Sequence, residues 1–124
     1  MMNTNLFDYF LPDSNITEIR IREDQVDLEI HWDVKNKPIL VRCNGVVGFT
    51  NLCMWDDVII GDNVSLKKAD IEPDTFLSSI VQAYKPYSFG ECFKQFPEEI
   101  LDLSIELVNQ ITFHIYCANV WVEE

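Results

Sequence analysis

The dominant period along this chain is two. Val26, Leu28, Ile30 and Trp32 alternate with Asp27, Glu29 and His31, the pattern of a strand with one apolar and one polar face. Ile19 and Ile21 alternate with Arg20 and Arg22 just before, and Glu23-Asp24-Gln25 lies between the two runs. Residues 16–32 therefore predict an antiparallel hairpin. After a polar turn over 33–38, residues 39–43 read as a third strand. Asn44-Gly45 follows at once and predicts a type I′ turn, which needs positive φ at both central residues, with 46–49 as the returning strand. Residues 58–60 predict a short strand that turns at 61–63. Residues 64–71 predict another, whose alternation slips between Leu66 and Ala69 as at a bulge or in a short edge strand. Leu101, Leu103, Ile105 and Leu107 then alternate with Asp102, Ser104 and Glu106. Asn109-Gln110 turns the chain, and Ile111, Phe113, Ile115 and Cys117 alternate with Thr112, His114 and Tyr116. The apolar phase shifts again at Val120 and Val122, the mark of a further bulge.

One segment has a helical period. Phe76, Leu77, Ile80, Val81 and Tyr84 make a single apolar stripe. Asp74 suits the N-cap, Lys85 the C-terminal end of the dipole, and Pro86 stops continuation. A helix over about 74–84 is expected. A shorter helical turn is expected over 5–11, with Leu6, Phe7, Phe10 and Leu11 on one face and Pro12 at its end. Residues 85–99, rich in aromatics and proline, read as a packed loop. The elements predict an α+β fold that is predominantly antiparallel β. It has one main sheet of about seven to eight strands in a single domain over 1–124. The 74–84 helix and the aromatic loop would cover its apolar face, leaving the other face wet and acidic. No regular strand–helix–strand alternation supports a doubly wound sheet.

The charge sharpens that picture. Among 124 residues, 21 acids oppose 9 bases for a net charge of -12, and 48% of the residues are apolar. The apolar fraction argues against disorder. The acid excess argues against nucleic-acid and anionic-membrane partners, both of which need Lys and Arg. It favours rapid encounter with a cationic protein. Residues 95–124 carry six acids and no Lys or Arg. No signal-like start or membrane-length apolar run is present, so a cytoplasmic location with reduced thiols is expected.

Candidate chemistry is sparse. His31 and His114 are the only histidines, and each reads more simply as a solvated strand residue than as a metal ligand or acid–base group. Cys43 and Cys117 continue apolar strand faces and read as core. Cys53 and Cys92 lie in loops, where packing is again the simpler reading. Asp56-Asp57 and Glu98-Glu99 are adjacent acids that would point to opposite faces of a strand. No phosphate loop, nucleophile elbow or calcium-loop spacing occurs, so no catalytic residue, cofactor or metal is expected. Trp55, beside Met54 and Asp56-Asp57, is an interface candidate, with a ring folded over the core edge as the simpler alternative.

The opening Phe7-Asp8-Tyr9-Phe10-Leu11-Pro12-Asp13-Ser14 runs into a hairpin, and the chain closes with Thr112-Phe113-His114-Ile115-Tyr116-Cys117-Ala118. This layout resembles small bacterial β-sheet families, some of them assigned as immunity proteins for polymorphic toxins. A Pro at position 12 stands where those families carry a His. The resemblance implies a non-enzymatic binding protein. With the charge, it leads to the expectation of an acidic domain that masks a basic partner through Asp27, Glu29, His31, Trp55, Asp102, Glu106 and His114. The rival expectation is a small-molecule or enzymatic pocket between sheet and helix near Tyr84, Tyr87 and Phe89. A third is a homo-oligomer assembled through an exposed sheet edge.

Overall fold

A computed structural model describes residues 3–51, 58–69 and 99–124. After a 3-10 turn at Leu6–Asp8 come β1 (Asn15–Arg22), β2 (Gln25–Trp32), β3 (Lys37–Asn44), β4 (Gly48–Thr50), β5 (Val58–Lys68), β6 (Leu101–Leu107), β7 (Thr112–Cys117) and β8 (Asn119–Glu123). They form one open antiparallel sheet in the order β4-β7-β6-β5-β1-β2-β3-β8. The expected predominance of antiparallel β and the strand number are as the alternation predicts. Among the described residues the only helical element is the 3-10 turn, so the covering helix has no support there. The predicted helix over 74–84, the aromatic connection over 85–99 up to its last residue, Trp55, Cys53 and Cys92 lie outside the described residues. No helix among the described residues is long and apolar enough to cross a membrane.

Among the described residues, the apolar face of the sheet is covered by the sheet itself. Val26, Leu28 and Ile30 of β2, Val41 of β3 and Val120 of β8 share one buried cluster with Leu103 and Ile105 of β6 and Phe113 and Ile115 of β7. Strands from opposite ends of the order can meet in one core only if the sheet curls. Each fully buried aliphatic or aromatic chain contributes about 1.5–3 kcal/mol, so the curl is held by the same residues whose alternation predicts the strands.

Two corners make the curl possible. At the first, β5 is one bent strand. Its start pairs with β1 (Ile16↔Val58), its remainder with β6, and the register slips between Ile60 and Val64. Residues 61–63 are thus a bulge within a strand rather than the expected turn, and the regular pairing from Val64 to Lys68 removes the bulge expected beyond Leu66.

At the second corner the expected Asn44-Gly45 hairpin does not form. Gly45 takes φ +63, but Asn44 is not among the residues with positive φ and stays at the end of β3, so the type I′ geometry is absent. The chain instead crosses to β4, which pairs with β7, while β8 takes the place beside β3. Ala118, between β7 and β8, donates its N–H to Asn44 O and Gly45 O at 2.9 and 3.2 Å. The phase shift at Val120 and Val122 is this crossing from one half of the sheet to the other. Cys43 and Cys117 flank it, both fully buried. A hydrogen bond to Cys117, followed by burial, holds the Cys43 thiol well above its usual range. The two read as core residues, as their strand phase predicts.

The N-terminal segment is not one helical face. Beyond the three-residue turn, Tyr9 is extended, so the period ends there. Leu6 and Leu11 enter the core, while Phe7 and Phe10 stand 62% and 64% exposed. The segment also covers the free edge of β8. Asn5 Nδ2 donates to Val122 O at 2.8 Å and its Oδ1 accepts from Val122 N at 2.7 Å, an amide doing the work of a neighbouring strand. Thr4 Oγ1 donates to Val120 O at 2.7 Å.

Gly45 tests the second corner. A Cβ there would lie 2.7 Å from the Ala118 Cβ and impose a left-handed backbone on an L-residue. Gly45→Ala is expected to lower stability by about 2–3 kcal/mol in urea denaturation. Adding Ala118→Gly is expected to recover the steric part, leaving about 1–2 kcal/mol of backbone strain.

Candidate functional site

The sheet's outer face holds two polar assemblies, and the N-terminal turn adds an aromatic cleft. The first assembly follows from cross-strand register. Glu18↔Glu29 and Arg20↔Asp27 pair between β1 and β2, Asp27↔Arg42 between β2 and β3, and Leu40↔Glu123 between β3 and β8. Acids and guanidiniums therefore interleave. Arg20 contacts Glu18 (3.2 Å) and Glu29, and Arg42 contacts Asp27 (3.1 Å) and Glu123 (3.1 Å). These carboxylates hold both guanidiniums above the ordinary arginine value. Glu18 is the first cause for Arg20, by hydrogen bond and charge, and Asp27 likewise for Arg42. Four carboxylates share two guanidiniums, so the lattice keeps a negative surplus.

Within it the expected contact residues are unequal. Asp27 is buried and accepts hydrogen bonds from Gln25 Nε2 (2.9 Å) as well as Arg42 Nε. Glu29 is half-buried and also accepts from Thr17 Oγ1. His31 is exposed, and its Nε2 donates to Asn36 Oδ1 at 2.7 Å.

The second assembly sits on β6 and β7, where Ser104 pairs directly with His114 and Asp102 with Tyr116. His114 Nδ1 lies 2.8 Å from Asp102 Oδ1 and 2.9 Å from Ser104 Oγ. Ser104 Oγ donates to Asp102 Oδ1 at 3.1 Å. The three close a ring consistent with a proton on Nδ1. A Ser-His-Asp hydrolase sets serine on one ring nitrogen and aspartate on the other. Here both use Nδ1, so Ser104 is not aligned as a nucleophile. The His114 ring stacks at 6° on Tyr116, whose phenol is held above its usual pKa by burial and then by Asp102. Glu106, farther along β6, accepts from Asn63 Nδ2 at 3.1 Å.

Asp102, Glu106 and His114 thus lie on one patch, and Asp27, Glu29 and His31 on another. In strand order β1 and β5 stand between β2 and β6, about 14 Å at 4.8 Å per strand. With a common core on the inside of the curl, the two patches turn away from each other. Trp55 lies outside the described residues. Among the described residues no group of three or more His, Cys, Asp or Glu is placed to hold a metal ion.

The aromatic cleft was not expected. It has a volume of about 350 Å³ and is bordered by Phe7, Asp8, Phe10, Pro12, Asp62 and Val64. The 3-10 turn presents one side and the β5 bulge the other. Asp13 N donates to Ile60 O (2.9 Å) and Ile60 N to Ser14 O (2.9 Å), which fixes the two sides together. The Ser104–His114 contact is legible in the sequence: polar-to-polar pairing across a turn centred on Asn109 sets them opposite. The cleft was not, because it needs the 3-10 turn and the bulge at once. No protein-family model, curated protein or solved structure matches the chain.

The lattice makes a graded prediction. Arg42→Ala removes the cation beside a buried carboxylate and is expected to destabilise by about 1–3 kcal/mol. Arg20→Ala breaks exposed pairs and is expected to cost below about 1 kcal/mol. Chemical denaturation of the two variants measures the difference.

Proposed function

We propose that this chain is a non-enzymatic, acidic protein-binding domain, an immunity-type inhibitor that masks a basic surface on its partner. The observation that carries the reading is an acid surplus that survives internal pairing. Arg20 and Arg42 are each bridged to two acids and Lys37 to Glu124. The chain still has a net charge of -12, and its acids extend over both outer patches. Such a surface speeds encounter with a cationic protein and repels nucleic acid and anionic lipid. The serine–histidine arrangement supports the non-enzymatic side of the reading, since its geometry lacks an activated nucleophile. A cytoplasmic setting with reduced thiols suits the buried Cys43 and Cys117. The binding residues on this reading are the solvent-reaching acids of the two patches, Glu29 and Glu106 foremost, with His31 and His114 beside them. Asp27 and Asp102 orient neighbours from buried positions, and Trp55 is a further contact.

Tagged protein incubated with lysate of its source organism, then washed at low and at high salt, tests the reading. The expected outcome is one stoichiometric basic protein lost as salt rises, because exposed charges are screened beyond about 8 Å at physiological ionic strength. Retention of no protein at either salt would overturn it. With that partner in hand, Glu29→Lys with Glu106→Lys is expected to slow association about tenfold or more at low salt and to leave the melting temperature nearly unchanged. An unchanged association rate would remove these two residues from the contact.

A further inference from the structure

We infer that the cleft between the N-terminal turn and the β5 bulge is a receptor for a single arginine side chain presented by a partner protein. This rests on the protein-binding reading above and assigns it a specific point of contact.

Three independent features define the occupant. The first is apolar exposure. Phe7 and Phe10 stand 62% and 64% exposed, although neighbouring Leu6 and Leu11 are in the core. Two rings left in water three residues apart, beside a cleft of about 350 Å³, offer flat faces to a ligand. The second is charge. Asp8 and Asp62 border the same cleft from its two sides. Neither is ion-paired among the described residues, where Arg20, Arg42, Lys37 and His114 have other acids as partners. The third is construction. The register slip in β5 between Ile60 and Val64 sets Asp62 on an exposed bulge beside the turn. A bulge re-aims the side chains it carries, and here the reoriented strand borders the aromatic side of the cleft.

The backbone behind the Phe10 ring is anchored. Phe10 O accepts from Trp32 Nε1 at 2.8 Å. The Tyr9 ring meets Trp32 edge-on at 4.8 Å, and its hydroxyl donates to Glu124 Oε2 at 2.8 Å. Residues 9 and 10 are therefore anchored through Trp32 and Glu124, which leaves the Phe10 ring free for contact.

Rings flanked by two carboxylates favour a planar cation. A guanidinium stacks on an aromatic face while its edge donates to carboxylates, and it is more weakly hydrated than an ammonium. A lysine satisfies the charge but stacks less well; an uncharged side chain of the same shape loses the carboxylates. The expected order is arginine above lysine above citrulline.

The test is a titration of the isotope-labelled full chain with the blocked tripeptides Gly-Arg-Gly, Gly-Lys-Gly and Gly-citrulline-Gly, followed by amide chemical shifts. With the arginine peptide, saturating shifts are expected over residues 6–13 and 61–64, with affinity at least about threefold tighter than for lysine and no saturation for citrulline. Phe10→Ala and Asp62→Asn, both exposed positions, are each expected to weaken the arginine peptide about fivefold or more without changing the spectrum elsewhere. Equal binding of arginine and lysine with no effect of Phe10→Ala would reduce the site to general acidity and overturn the inference. So would shifts at residues outside the cleft, or no shifts at all. If the peptides fail but the salt-sensitive partner is retained equally by wild type and Phe10→Ala, the cleft assignment falls and the protein-binding reading stands. If neither binds, both fall.

Discussion

Everything in this fold depends on the crossing at Gly45 and Ala118. One amide, that of Ala118, donates to two carbonyls, Asn44 O and Gly45 O. It joins β3, near one end of the strand order, to the link between β7 and β8, which reaches the other end. The approach is close enough that a Cβ on residue 45 would fall 2.7 Å from the Ala118 Cβ. That contact pins a curl that burial of the shared core drives, bringing β6 and β7 over β2 and β3. Among the described residues, the apolar faces of the two halves of the sheet pack on one another there. The bend in β5 supplies the opposite corner, so two local departures from regular pairing convert a flat meander into a core with an outer surface.

That outer surface explains how a chain of net charge -12 is stable. Where acids sit between strands they are built into the sheet: Asp27 with Arg42 and Gln25, Asp102 with His114 and Ser104. The other described carboxylates reach solvent, where repulsion between them is screened and desolvation is small. The described acids therefore divide into those built into the sheet and those open to solvent. Residues of one alternating strand fall in both groups, since Asp27 is buried and Glu29 only partly so. Alternation alone does not distinguish them; their cross-strand neighbours do.

The same physics decides how much was legible in the sequence. The hairpin of β1 and β2, the third strand and the β6–β7 pair follow from period two, because one face of each is buried and a slip of one residue would expose it. Both corners were misread for a common reason. Asn44-Gly45 has strong local turn chemistry, and its Gly does take positive φ, but β8 competes for the same edge of β3 and wins it. Gly61-Asp62-Asn63 likewise has turn composition, yet the chain continues as a strand because β1 and β6 pair with its two ends. Long-range pairing overrode local preference each time. Among the functional candidates, the Asp102–His114 contact was within reach of register arguments. The Phe7–Phe10 cleft was not, because a helical period of i, i+1, i+4 and i+5 is indistinguishable in sequence from a short turn followed by an extended segment.

The most direct test of this account is nuclear magnetic resonance at the crossing. The curled sheet predicts a cross-relaxation signal between the Gly45 α-protons and the Ala118 methyl group. It also predicts slow hydrogen exchange at the Ala118 amide, comparable with that of central strand residues such as Leu28. Absence of the signal, with an Ala118 amide that exchanges as fast as those of the turns, would mean that the two ends of the sheet do not meet and would contradict the account.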